Sequence, residues 1–110
     1  MTDDRYYEDR VVRLAELVGA GTVLDGFTFV GCQIDGPAVI LPRDSIFAGN
    51  NFSSPNPEAL FWEVPTKRKE VVGVIEVRNC TFERCRFSHV GIAGPPQLIK
   101  HFRASLHPGA

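Results

Sequence analysis

The sequence predicts an all-β solenoid: a short β-helix of two to three coils with an amphipathic α-helix at each terminus. Two apolar runs and the turns between them carry that prediction. Leu24, Phe29, Ile34 and Val39 lie five residues apart, as do Val77, Phe82, Phe87 and Ile92, with Val72 extending the second run backwards. Two residues before each comes a second, mostly apolar or small residue: Thr22, Phe27, Cys32 and Pro37, then Ile75, Cys80, Cys85 and Val90. Helices repeat at 3.6 residues and strands at 2, so a period of five requires a chain that bends at regular intervals. Within each unit the paired residues share one side of an extended segment, because strand side chains alternate. The residues that follow turn the chain: Asp25-Gly26, Val30-Gly31, Asp35-Gly36, Arg78-Asn79 and Ala93-Gly94. Glycine and asparagine tolerate positive φ, and aspartate can bond its own turn backbone. A pair of hairpins is the alternative, since Asp-Gly is a strong hairpin signal and two such pairs flank Phe27 to Ile34.

A chain of 110 residues is expected to form one domain around one modest core. Residues 1–19 read as a capping helix. Asp3 or Asp4 can cap it, Tyr7, Val11, Leu14 and Val18 fall at i, i+4, i+7 and i+11, Leu17 widens the stripe, and Gly19-Ala20-Gly21 ends it. The solenoid is expected over 22–94, with a lapse in the pattern between 42 and 71. Within that lapse Pro42-Arg43-Asp44-Ser45 reads as a turn, and Phe47 and Phe52 are again five apart. Residues 53–70 read as a loop or hairpin excursion between strands at Ala59–Val64 and Val71–Val77. After Pro95-Pro96, favourable at a helix start, Leu98, Ile99, Phe102 and Leu106 form the apolar stripe of a C-terminal helix over 95–107.

The units Phe27-Thr28-Phe29-Val30-Gly31, Cys32-Gln33-Ile34-Asp35-Gly36, Cys80-Thr81-Phe82-Glu83-Arg84 and Cys85-Arg86-Phe87-Ser88-His89 resemble pentapeptide repeats. That family sets a small residue, often Ala or Cys, two positions before a central Leu or Phe. The resemblance implies a right-handed, roughly square β-helix with four repeats per coil. It also implies a binding scaffold rather than an enzyme. This chain departs from the family at Thr28, Gln33, Thr81 and Arg86, where Asp or Asn is frequent, and a less regular, triangular β-helix fits nearly as well. Some relatives imitate duplex DNA, which needs an acidic shaft. Here Arg78, Arg84 and Arg86 stand among the outward positions with only Glu76 and Glu83 nearby.

The composition narrows the function. A hydrophobic share of 44% with 23% charged residues is ordinary for a folded domain, and a formal charge of −1 gives no basic field for nucleic acid. No apolar stretch approaches the roughly 20 residues that span a bilayer, and the polar, acidic N-terminus is no signal peptide, so a cytoplasmic setting without a membrane partner is the expectation. Cys32, Cys80 and Cys85 occupy one slot of the pattern and read as core residues with Leu24, Phe29, Ile34, Val77, Phe82, Phe87 and Ile92, not as metal ligands or nucleophiles. No catalytic residue, metal or cofactor is expected.

The candidate contact residues are Trp62, the cationic run Lys67, Arg68 and Lys69, and His89 at a corner. The open ends of so few coils leave unpaired edges, and self-association is a natural way to cover them. The sequence therefore points to a non-catalytic homo-oligomeric scaffold with a protein partner. The alternative is a binder of a small, nucleotide-like anion at a subunit interface. A third reading is a solenoid enzyme such as an acyltransferase.

Overall fold

Inward side chains five residues apart call for strands of about three residues joined by corners, and the chain is made largely of such strands. The computed structural model describes residues 5–19, 21–53, 60–65 and 71–105. In chain order these form β1 (Tyr6–Glu8), β2 (Val11–Arg13), α1 (Leu14–Val18), β3 (Val23–Asp25), β4 (Thr28–Val30), β5 (Gln33–Arg43), β6 (Ile46–Ala48), β7 (Asn51–Ser53), β8 (Phe61–Glu63), β9 (Ile75–Arg78), β10 (Thr81–Glu83), β11 (Arg86–Gly94) and α2 (Pro96–Ser105). The protein is thus mostly β, and all the strand pairings among the described residues are parallel.

The registers sort the strands into four tiers. The first tier holds β1 and β2. The second holds β3, β4 and most of β5, the third β9, β10 and β11, and the fourth the end of β5 with β6, β7 and β8. Inward residues align across the tiers in rows: Leu24, Val77 and Pro42; Tyr7, Phe29, Phe82 and Phe47; Val12, Ile34, Phe87 and Phe52; Ile40, Ile92 and Phe61. One sheet accordingly runs β1-β4-β10-β6. The tier that comes last in the sequence lies between its two predecessors. Their alignment stacks aromatic rings, with centroids 5.5 Å apart for Tyr7 and Phe29, 4.9 Å for Phe29 and Phe82, and 4.8 Å for Phe82 and Phe47. Phe29, Phe82 and Phe87 are fully buried, with Leu24, Ile34, Val77, Ile92 and the three cysteines beside them.

The corners also align. Asp9, Gly31, Arg84 and Gly49 share one, and Gly26, Asn79 and Asp44 share another, all at positive φ. At the first corner the Asp9 N–H donates to the Val30 carbonyl at 2.9 Å, Gly31 to Glu83 at 2.8 Å, and Arg84 to Ala48 at 2.9 Å. Gly26 and Asn79 donate in the same way to Arg78 and Arg43. Each corner therefore hands its amide to the next tier, in the same spatial order as the strands. At Gly36 an added Cβ would strike the His89 carbonyl, so this corner admits no side chain.

Several expectations are corrected. Residues 1–19 do not form a helix where described: Tyr7 and Val12 belong to β1 and β2, Asp9 turns the chain between them, and only Leu14–Val18 is helical. The segment satisfies both periods, and pairing to β4 and β5 decides for the strands, leaving Val11 61% exposed. The hairpins fail, because β3, β4 and β5 pair with distant strands rather than with each other, and β8 and β9 pair with β11 and with β3 and β5. The pattern does not lapse at 42, since Pro42, Phe47 and Phe52 fill inward rows. Val72 is fully exposed and outside the pattern, and Ile40 rather than Val39 takes the inward row opposite Ile92, the chain being one residue longer there.

Phe82→Ala is expected to lower stability in urea by about 3–5 kcal/mol, because a fully enclosed ring leaves a cavity. Phe82→Asp should not fold at all. Arg84→Gly should stay within about 1 kcal/mol of the parent or exceed it, since it removes a side chain held at positive φ. A folded Phe82→Asp chain by circular dichroism would show that the inward row is wrongly placed.

Candidate functional site

The fourth tier ends both main stacks of strands. β6 has β10 on one side and β7 has β11, and no described strand lies beyond either. In a parallel ladder alternate residues bond the same neighbour. Ile46 donates to Cys80 at 2.8 Å and Asn51 to Cys85 at 2.9 Å, so the main-chain groups of Phe47 and Phe52 turn to the open side. The edge is also apolar: Ile46 is 61% exposed, and Phe47 and Phe52 are half-buried.

Helix α2 lies against β8 and β11 and partly covers this end. Ile99 and Phe102 are its buried face. The Phe102 ring stands edge-on to Phe47 at 5.0 Å and to Phe52 at 6.0 Å, and the Arg103 guanidinium sits 5.4 Å from the Phe61 ring centre. Between helix and edge a cleft of about 260 Å³ remains, lined by Phe47, Phe52, Leu98, His101 and Phe102, with Ser45, Gly49 and Asn50 at its rim.

The polar rim is already engaged. Ser45 Oγ donates to the Val77 carbonyl at 2.8 Å and accepts the Cys80 N–H at 3.2 Å. Asn50 Nδ2 donates to the Phe82 carbonyl at 2.9 Å, and its Oδ1 accepts the Cys85 N–H at 2.8 Å. These two side chains stand where the third tier has Cys80 and Cys85, and they clip the fourth tier to the third. With Ser45 and Asn50 engaged, the site presents the apolar side chains Phe47, Phe52, Leu98 and Phe102, the His101 ring, and a strand edge with no described strand beyond it. That suits an extended segment or apolar side chains of a protein better than a reacting small molecule. Sequence reading missed it, although Phe47 and Phe52 at the five-residue spacing were its visible signal.

The residues singled out from the sequence lie elsewhere. Trp62, 60% exposed on β8, pairs in register with Ala93 and lies beside Gly91. His89 is exposed at its corner with φ of 58°, and its Nδ1 lies 3.1 Å from Ser88 Oγ. Trp62 is in register with Ala93, four positions along β11 from the corner at His89. Lys67, Arg68 and Lys69 lie outside the described residues. A second, shallower cleft of about 520 Å³ borders Val23, Leu41, Val71 and Val74. There the Glu76 carboxylate accepts Arg78 at 3.0 Å and also Arg43, tying β9 to the end of β5.

Among the described residues no three His, Cys, Asp or Glu side chains gather as a metal site. The thiols face main-chain carbonyls: Cys80 reaches Leu24 at 3.4 Å and Cys85 reaches Phe29 at 3.4 Å. Burial pushes both thiols above the ordinary range, against a partial lowering by backbone hydrogen bonds. No described helix is long and apolar enough to cross a membrane. No protein-family model, curated protein or solved structure matches this chain.

The thiols give a check on this packing. The native chain should leave a disulfide reagent unreacted at pH 8 and release its thiols only on unfolding. Because burial holds Cys80 and Cys85 above the range in which the unfolded thiols ionise, their contribution to stability should be full below about pH 8.5 and fall as pH rises above it. Rapid labelling of the folded protein would place these side chains at the surface.

Proposed function

We propose that this chain is a short right-handed β-helix that acts without catalysis, as a scaffold that self-associates and binds another protein through the open edge of its fourth tier. Several features support the winding: the in-register tiers, the aligned corners at positive φ, and the right-handed sense that parallel crossovers take. In this reading α1, with Leu14 buried, caps the first tier, and α2, with Ile99 and Phe102 buried, covers part of the fourth and leaves the β6 edge open.

One observation carries the binding role: β6 and β7 are edge strands with no described strand beyond them, with Ile46 exposed and Phe47 and Phe52 flanking a cleft. Edge strands are commonly blunted by charge, proline or bulges when they are to stay solitary. Here the outward residues of β6 are Ile46 and Ala48, which carry no such guard. The anionic-ligand alternative has its run Lys67, Arg68 and Lys69 outside the described residues, and Ser45 and Asn50 at the cleft rim are spent on the main chain.

Light scattering over a concentration series tests the reading. The parent chain is expected to show reversible, dilution-sensitive association. Ile46→Lys combined with Ala48→Lys should weaken it at least tenfold while leaving the urea midpoint unchanged, because both side chains point outward. A parent chain that stays monomeric, or one whose association ignores the two lysines, would remove the edge from consideration. A thermal shift with inorganic phosphate would instead favour the anion binder.

A further inference from the structure

The third tier is the last in sequence, yet it is the middle of the stack. Its strands β10 and β11 pair on one side with β4 and β5 and on the other with β6 and β7. It brings Val77, Cys80, Phe82, Cys85, Phe87 and Ile92 into the core, all at 1% exposure or less, and α2 follows with Ile99 and Phe102. Without this segment, β4 and β6 would present two facing, unpaired parallel edges, with Phe29 and Phe47 each losing a ring at under 5 Å. What fits that slot is narrowly defined. An occupant must run parallel to both walls, place inward residues five apart, and offer small side chains to the Leu24 and Phe29 carbonyls that Cys80 and Cys85 now meet.

We infer that the slot is an exchange site, and that its second possible occupant is the same segment of another copy, giving a reciprocally swapped dimer in which residues 75–105 of each chain complete the other's stack. Such a dimer reproduces each contact of the closed monomer, so the two forms differ only in the connection and in association entropy. Within that connection Val72 is fully exposed, and Gly73, at φ of 98°, has open space where a side chain would stand. Nine residues separate Pro65 from Ile75, and extended they span about 33 Å, enough to leave one stack and enter a neighbouring one. This interface is separate from the β6 edge and does not depend on it.

The test uses full chains carrying Ile46→Lys and Ala48→Lys, so that edge docking contributes little. One set adds Phe29→Asp and the other Phe82→Asp, each with a different affinity tag. Each alone is expected to stay unfolded. Refolded together from denaturant, they should yield a dimer bearing both tags with roughly half the parent β signal, because one stack then receives wild-type walls and a wild-type inserted tier. A second measurement needs no destabilised chain. Two differently tagged parent chains should form mixed dimers that survive dilution after joint refolding, but none when mixed already folded. Absence of rescue together with absence of dilution-stable mixed dimers would overturn the inference. So would mixed dimers that form at once between folded chains and dissolve on dilution, since those are docked edge to edge.

Discussion

The structure depends on one insertion: the tier built from β9, β10 and β11 must sit between strands that precede it in the chain by more than 30 residues. Phe82 touches Phe29 on one side and Phe47 on the other, and both rings stack within 5 Å of it. The same tier receives Gly31 and Gly26 amides from above and sends Arg84 and Asn79 amides below. Take it away and no ladder in the molecule is continuous from first tier to fourth. Burial of the phenylalanine rows and closure of the corner bonds are thus one event and not two.

The corners explain why the rows can be so regular. A strand of three residues can only step to the next row if its last residue reverses direction locally, and positive φ does this at the same position in each tier. Gly26, Gly31 and Gly49 adopt it at no steric cost, Asp9, Asp44 and Asn79 at a small one. Arg84 and His89 carry an ordinary side-chain penalty there. The Arg84 amide to Ala48 and the enclosed approach of the His89 carbonyl to Gly36 lie at these two points. Local preference and tertiary demand agree at most corners, and where they disagree the inserted tier is the one strained.

Much of this was readable because spacing survives in a sequence. Leu24, Phe29 and Ile34, and again Val77, Phe82 and Phe87, announce a chain that bends every five residues, and the same slot absorbs the cysteines. Tyr7 and Val12 obey that spacing too, but Tyr7, Val11, Leu14 and Val18 equally satisfy a helix, and only pairing with β4 and β5 separates the two. The edge at β6 and β7 stayed hidden for a different reason. Ser45 and Asn50 replace the small apolar residue of the pattern, so the repeat looks broken where it is being clipped by polar bonds to the third tier. Order is the deepest loss: a period states which residues point inward and says nothing about which copy of the unit lies beside which.

That loss of order has a physical counterpart in how the chain must assemble. Had the tiers stacked in sequence, each new turn could have condensed on the one before it, with local contacts rewarding each step. Here Phe29 and Phe47, the central residues of β4 and β6, are only 18 positions apart in the chain, yet the two strands cannot zip directly without excluding β10. The contact of Cys80 with Leu24 spans 56 residues of chain, so closure of the stack waits on a distant segment whose entropy cost is met before any of its rows are buried. Until that segment is in place, β4 and β6 lack the neighbour they share. The slot favours whatever identical segment arrives first, and in a dilute solution that is the segment tethered to the same chain. Tethering, not any special contact, is what makes the closed monomer the expected product, and the same logic makes copy number in solution the variable that decides between closure and exchange.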